Sequence, residues 1–83
     1  MSKYTFSLVL PINNEEQIVD KAIKEILELN LNSSVLFEIV IVDDGSNDLT
    51  SSILDKFKSI ENINLITHEK NYGYGRALKT GIT

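Results

Sequence analysis

The sequence has no cysteine, and its 83 residues carry only 8 Lys and Arg side chains against 12 Asp and Glu. The absence of cysteine excludes disulfide bridges and thiolate metal sites, and it fits a reducing compartment. With a net charge of −4, the chain has no basic stripe to neutralise a nucleic-acid backbone and no polybasic anchor for an anionic membrane. The composition therefore argues against nucleic acid as a partner.

Long apolar runs are also missing. The first run, residues 6–10, ends at Pro11 and is too short for a transmembrane helix or the core of a secretion signal. We therefore expect a soluble, cytoplasmic chain without a membrane segment. The length allows at most one small domain. Because the last predicted helix reaches Thr83 without a stop signal, we expect residues 1–83 to be a single partial domain, the N-terminal portion of a longer one.

Apolar segments typical of buried strands alternate with segments in which apolar residues recur every three or four positions. This alternation predicts an α/β fold, with three parallel strands joined by right-handed helical crossovers. The strand segments are residues 4–10, 37–42 and 63–67, and the helical segments are residues 18–29, residues 49–60 and a third that begins near Ala77.

Local signals suggest where these elements begin and end. Pro11 is expected to end the first strand, because proline cannot donate a main-chain hydrogen bond. Asn14 suits the N-cap of the first helix, and Gln17 three positions later completes a capping-box pattern. Ser46 or Asp48 is expected to cap the second helix.

Three polar loops follow the three strands, and open α/β sheets bind ligands at the carboxyl ends of their strands. In the second loop, Asp43 and Asp44 have two interpretations. Their carboxylates could satisfy main-chain N–H groups of the turn, or one could accept hydrogen bonds from a base edge or a ribose hydroxyl. Two carboxylates alone make a poor cation site. In the first loop, Glu15 could complement the helix dipole or face the same crevice.

The third loop contains Gly73 and Gly75, but it does not match the dinucleotide-binding fingerprint. It follows the third strand instead of the first, and the third glycine of that fingerprint is absent. Arg76 and Lys79 could face a phosphate or be solvated helix charges. His68 is the single histidine, and we interpret it as an ordinary strand-end residue because the sequence shows no partner for it.

Three blocks in order resemble the N-terminal, donor-binding half of family 2 glycosyltransferases, the GT-A group that includes dolichyl-phosphate mannosyltransferase-like enzymes. The resemblance implies a three-layer, Rossmann-like nucleotide-binding half. The blocks are residues 8–16 (LVLPINNEE), 38–50 (EIVIVDDGSNDLT) and 71–82 (NYGYGRALKTGI).

The resemblance implies a UDP- or GDP-sugar donor lying over the three loops. By this analogy Pro11 and Asn13 contact the nucleoside, and Glu15 binds the base or the ribose. Asp44 reads the base, with Asp43 next to it. The family usually has an aromatic residue where this chain has Asn13, so a stacking contact is absent at that position.

By the same analogy the third loop, with Asn71 and Gly73, lies near the ribose and the diphosphate, together with Arg76 or Lys79. Family members hold Mg²⁺ or Mn²⁺ through an Asp-x-Asp motif on a later strand, and an acceptor half carries the general base. Residues 1–83 contain neither. Since both are large terms in such chemistry, we expect this chain alone to be inactive.

The leading hypothesis is therefore the donor-binding part of an enzyme that transfers a sugar to a hydroxyl or a lipid phosphate. The alternatives are a non-catalytic nucleotide-binding module and a structural α/β scaffold whose acids only cap helices. In the family fold the first strand is internal. Here one side of residues 6–10 would be an open apolar edge, which predicts self-association.

Overall fold

The computed structural model describes residues 4–32 and 36–82, the side chain of Tyr74 excepted. Within these ranges three strands alternate with three helices, and the strands form one parallel sheet in the order β1-β2-β3. The predicted α/β architecture is confirmed. The elements are β1 (Phe6–Ile12), α1 (Val19–Leu31), β2 (Phe37–Asp44), α2 (Thr50–Asp55), β3 (Ile63–His68) and α3 (Tyr74–Ile82).

The central strand β2 divides the core into two layers, because successive side chains of a strand point to opposite faces. Ile39 and Ile41 pack with residues of α1 and α2 on one face. Val40 and Val42 pack against Ala77 of α3 on the other face. The molecule therefore has the three layers predicted for a Rossmann-like half. Its carboxyl strand ends all lie at one edge of the sheet.

Strand β1 lies at one edge of the sheet, as the open-edge prediction requires. Pro11 does not end it, since β1 continues to Ile12 and Pro11 lies opposite Val42. An edge strand tolerates proline because only one of its sides needs main-chain donors. At the other end of β1, the rings of Phe6 and Phe37 stack with centroids 5.0 Å apart.

The helix starts differ from those predicted. The N-cap of α1 is Ile18, which makes no side-chain capping bond, so the prediction that Asn14 caps this helix is wrong. Asn14 instead adopts a φ of 52°, a left-handed conformation that asparagine tolerates. Ile18 and Leu29 were expected on the apolar stripe, but both are exposed.

Helix α2 ends at Asp55, and residues 56–62 continue as turns, so the second helix is shorter than its apolar spacing suggested. Helix α3 approaches the sheet closely at Gly81, where a Cβ atom would overlap the side chain of Val9. Glycine at this position allows that close packing, because it has no Cβ atom. No helix in residues 4–32 and 36–82 combines the length and apolar character needed to cross a bilayer.

Candidate functional site

Three loops lie side by side at the carboxyl ends of the strands. In the structure the first loop spans residues 13–18, the second residues 45–49 and the third residues 69–73, because Asp43 and Asp44 belong to β2 and Gly75 belongs to α3. The first is tied to the second through its main chain. The N–H of Asn14 donates to Ser46 Oγ at 3.0 Å, and Asn14 Oδ1 accepts from the N–H of Asn47 at 2.9 Å. The N–H of Glu15 donates to Thr50 Oγ1 at 2.8 Å. Because the Asn14 side chain bonds to the second loop, it does not cap helix α1.

The second and third loops touch at Gly45. Its φ of 67° lies in the left-handed region, and a Cβ atom there would overlap the main chain of Lys70 and Asn71. Only glycine meets both requirements at once, because it lacks the Cβ that opposes each of them. The glycine after the two aspartates therefore brings two loops into contact.

The first and third loops are joined through amide side chains. Asn13 Nδ2 donates to the carbonyl of Asp44 at 2.6 Å, and Asn13 Oδ1 accepts from Asn71 Nδ2 at 3.3 Å. Asn71 Oδ1 in turn accepts from the N–H of Gly73 at 2.8 Å. An aromatic ring at position 13 could not make these bonds, so the contact between the two loops accounts for an asparagine at this position.

Asp43 points to the α2 face of the sheet and is buried. Its Oδ1 accepts from the N–H of Ser46 at 3.2 Å, and its Oδ2 accepts a short hydrogen bond from the hydroxyl of Ser51. The carboxylate thus closes the turn between β2 and α2. For Asp43 the structure thus supports the interpretation that the carboxylate satisfies hydrogen-bond donors of the turn.

Asp44 points to the opposite face, where its side chain is 4% exposed. Its Oδ1 lies 2.7 Å from His68 Nδ1 and accepts from the N–H of Tyr72 at 3.0 Å, and its Oδ2 accepts from the N–H of Gly73 at 2.8 Å. Burial raises the pKa of Asp44, but the hydrogen bonds from His68, Tyr72 and Gly73 outweigh this effect and leave the pKa below its ordinary value. Asp44 is therefore ionised at neutral pH.

His68 contacts Asp44, a role that sequence reasoning missed. It was interpreted as an ordinary strand end, yet its ring bridges Asp44 and α3, with Nε2 lying 2.9 Å from Thr80 Oγ1. Tyr72 meets the ring edge-on at a centroid distance of 5.2 Å. In the sequence, Asp44 and His68 come just after two predicted parallel strands, and the structure shows that they pair directly in the sheet.

A cleft of about 320 Å³ opens between the first and third loops, above the end of β2. It brings together six of the nine residues predicted for the site, whereas Asp43, Arg76 and Lys79 do not line it. The lining residues are Pro11, Ile12, Asn13, Glu15, Asp44, Asn71, Gly73 and Ala77.

The charged side chains around the cleft differ in whether other groups of the protein contact them. Glu15 is exposed at the rim, and within the described ranges no hydrogen bond or ion pair engages its carboxylate. The guanidinium of Arg76 lies 5.0 Å from the centre of the Tyr72 ring, and Lys70 Nζ lies 5.6 Å from it. The Arg76 charge is thus held beside an aromatic ring.

The residues present do not fit a divalent metal. No group of three or more His, Cys, Asp or Glu side chains within residues 4–32 and 36–82 is arranged to hold one. Asp43 is used by a turn and a serine, and Asp44 by His68 and two main-chain N–H groups. Hard cations need more free oxygen ligands than these two side chains offer.

The profile of glycosyl transferase family 2 matches residues 7–83. The chain belongs to this family. It is 38% identical over 81 residues to a dolichyl-phosphate beta-glucosyltransferase of Trichomonas vaginalis, covering 90% of this chain and 25% of that protein. It is 33% identical over 78 residues to a dodecaprenyl-phosphate galacturonate synthase of Rhizobium johnstonii, covering 92% of this chain and 23% of that one.

The fold also matches a solved structure, the mannosyltransferase PcManGT from Pyrobaculum calidifontis in complex with GDP-Man and Mn²⁺. The TM-score is 0.79 at 20% sequence identity, covering 99% of this chain and 24% of the other. This family 2 member therefore has the GT-A-type fold that the resemblance implied. The chain spans 24% to 30% of the length of several curated relatives that it matches.

Proposed function

We propose that this chain is the donor-binding part of a glycosyltransferase that moves a sugar from a nucleotide-sugar to a hydroxyl or lipid-phosphate acceptor. The observation that carries the proposal is a single cleft lined by the first loop, the third loop and Asp44 at the end of β2. Family membership adds the reaction class, and two relatives bear the names of polyprenyl- or dolichyl-phosphate sugar enzymes.

The cleft has hydrogen-bond acceptors suited to a nucleoside. A carboxylate has about four acceptor positions. Bonds within the described residues use three of them on Asp44 and leave one position on Oδ2 without a donor. The Glu15 carboxylate stands exposed at the rim. Base N–H groups and ribose hydroxyls are donors, so both carboxylates match the nucleoside end of a UDP- or GDP-sugar.

The diphosphate would extend from the cleft toward the start of α3. That helix begins at Tyr74, directly after Gly73 of the cleft, and helix N-termini favour negative charge through their free N–H groups. Arg76 and Lys79 on the same helix would contribute positive charge after a rearrangement that frees Arg76 from Tyr72. No step of the transfer is assigned to a metal held by these residues.

Nucleotide binding by the chain as it stands tests the proposal. We expect UDP or GDP to shift the amide NMR signals of Asn13, Glu15, Asn71 and Gly73 in a saturable manner, and those of α1 to stay unchanged. Glu15→Gln is expected to weaken binding, because it removes the unengaged carboxylate. Glu16→Gln is the matched control, since it removes the same charge one position away, outside the cleft. Signals that fail to move at millimolar nucleotide, or that move equally in α1, would contradict the proposal.

A non-catalytic nucleotide-binding module is the second candidate, since the proposed site accounts for nucleotide binding and assigns no residue to the transfer itself. Both candidates predict binding, and they differ in turnover. We expect the 83-residue chain, a partial and cytoplasmic domain in this proposal, to bind a nucleotide-sugar without consuming it. Release of nucleoside diphosphate from the sugar by this chain alone would contradict that expectation.

A further inference from the structure

The ring of His68 connects three elements of the fold. It belongs to β3, its Nδ1 lies 2.7 Å from Asp44 Oδ1 on β2, and its Nε2 lies 2.9 Å from Thr80 Oγ1 on α3. The side chain is 12% exposed, so solvent competes little for either nitrogen. A ring held at both ends by bonds to different elements has a fixed orientation.

The proton positions follow from what each partner offers. Asp44 is ionised and can only accept, so His68 Nδ1 must carry a hydrogen. Thr80 has one hydroxyl proton, and the acceptors near it in the described part of the chain include His68 Nε2 at 2.9 Å and the carbonyl of Arg76 at 3.0 Å. If the ring is neutral, Thr80 donates to Nε2. If the ring is charged, Nε2–H donates to Thr80, which then donates to Arg76. Nδ1 is the donor to Asp44 in both states.

We propose that His68 is a positioning residue for Asp44. The Nδ1–H of His68 holds the Asp44 carboxylate in an orientation that leaves one of its acceptor positions open toward the cleft. The role of that open position rests on the proposed function. The tautomer and the hold on Asp44 do not. Tyr72 and Gly73 donate to the same carboxylate from the third loop, so His68 supplies the bond that anchors it from the sheet side.

The first test uses no nucleotide. Since the chain has one histidine, its ring nitrogens give unambiguous signals in long-range ¹H–¹⁵N correlation spectra. We expect the pattern of a ring protonated at Nδ1, either alone or together with Nε2. A neutral ring protonated at Nε2 alone would overturn the proposal.

The second test compares two substitutions of His68. Asn places an amide N–H₂ where Nδ1 stands and retains a donor to Asp44, whereas Leu fills the space and donates nothing. The carboxyl ¹³C signal of Asp44 should titrate at a higher pH in His68→Leu than in His68→Asn. Equal midpoints in the two variants would overturn the proposal, whatever the outcome with nucleotides.

The third test is binding of UDP and GDP to the two variants at a temperature where both give folded NMR spectra. We expect His68→Leu to weaken binding about tenfold or more, as for loss of a charge-assisted hydrogen bond. His68→Asn should stay within about threefold of the unsubstituted chain. If Leu binds as well as Asn, His68 does not position Asp44 for a ligand. If the unsubstituted chain binds neither nucleotide, the proposed function fails while the first two tests still decide the role of His68.

Discussion

Asp43 and Asp44 are neighbours in the chain, yet their carboxylates lie on opposite faces of the sheet. Asp43 accepts from Ser51 of α2, and Asp44 lies 2.7 Å from His68 of β3. The alternation of side chains along β2 separates them, so a pair that looks like one acidic site in the sequence is two groups with different surroundings. Asp44 lines the cleft and Asp43 does not.

The two aspartates should therefore respond differently to the same substitution. Asp43→Asn should lower the free energy of unfolding by about 1–3 kcal/mol, because it disturbs buried hydrogen bonds of the turn. Nucleotide binding by the folded fraction should be unchanged. Asp44→Asn should weaken binding of UDP or GDP about tenfold or more, measured by NMR titration of folded protein. Equal binding by Asp44→Asn and the unsubstituted chain would remove Asp44 from the site.

Substituting two glycines by alanine should distinguish the effect of the loop contact on stability from the effect of helix propensity. Gly45→Ala should cost about 2 kcal/mol or more of unfolding free energy, since alanine resists a positive φ and its Cβ would overlap the Lys70 main chain. Gly75→Ala meets open space in α3, so stability should be unchanged or rise by up to about 1 kcal/mol. Urea denaturation measures both. A Gly45→Ala chain as stable as its Gly75→Ala counterpart would contradict the loop contact described here.

Stability should fall in acid, with a contribution from Asp44. The pKa of Asp44 in the folded chain lies below 3.8, the ordinary value that applies to the unfolded chain. As the pH drops through 3.8, the unfolded chain therefore takes up the proton before the folded chain does. The unfolding free energy contributed by this group is complete above about pH 4 and is lost on the way down to the folded pKa. Asp44→Asn should flatten this part of the pH profile, followed by urea denaturation.

Asp20 and Asp48 supply the controls for the acid profile. Bonds from Lys56 and Lys24 lower the pKa of Asp20. Burial raises the pKa of Asp48, but bonds from Thr50 and the Glu16 main chain outweigh it and lower the value overall. The slope should therefore persist in part in Asp44→Asn. An Asp20→Asn chain that loses more of the slope than Asp44→Asn would argue against the Asp44 contacts.

The open edge of β1 should drive self-association of the isolated chain. Within residues 4–32 and 36–82 no strand pairs with its outer side, and Phe6 is 48% exposed near one end. Ser7→Lys should reduce association, because a charge on an edge strand disfavours strand pairing. Within the folded chain the new lysine would lie next to the carboxylate of Glu38, which accepts from Ser7 in this structure. Light scattering over a range of concentrations measures the effect. A chain that stays monomeric at every concentration would contradict the prediction.

The element order and the place of polar loops after the strands could be predicted from local pattern. The β-branched run of β2 and the apolar periodicity of α1 are properties of consecutive residues, so they are visible in the sequence. Element boundaries were less accurate, because Pro11 and Asn14 respond to neighbours distant in the chain. Pro11 stays in a strand that has a free edge, and Asn14 bonds to Ser46 and Asn47 instead of capping α1.

The sequence by itself determined a parallel α/β sheet with polar loops at one edge, because hydrophobic periodicity and β-branched runs act over short stretches of chain. Only the tertiary structure decided which carboxylate lines the cleft, that His68 holds Asp44, and that Arg76 lies beside Tyr72. Each of these depends on atoms brought together from different elements by sheet register and loop contact. Such distances are set by packing, which no local pattern specifies.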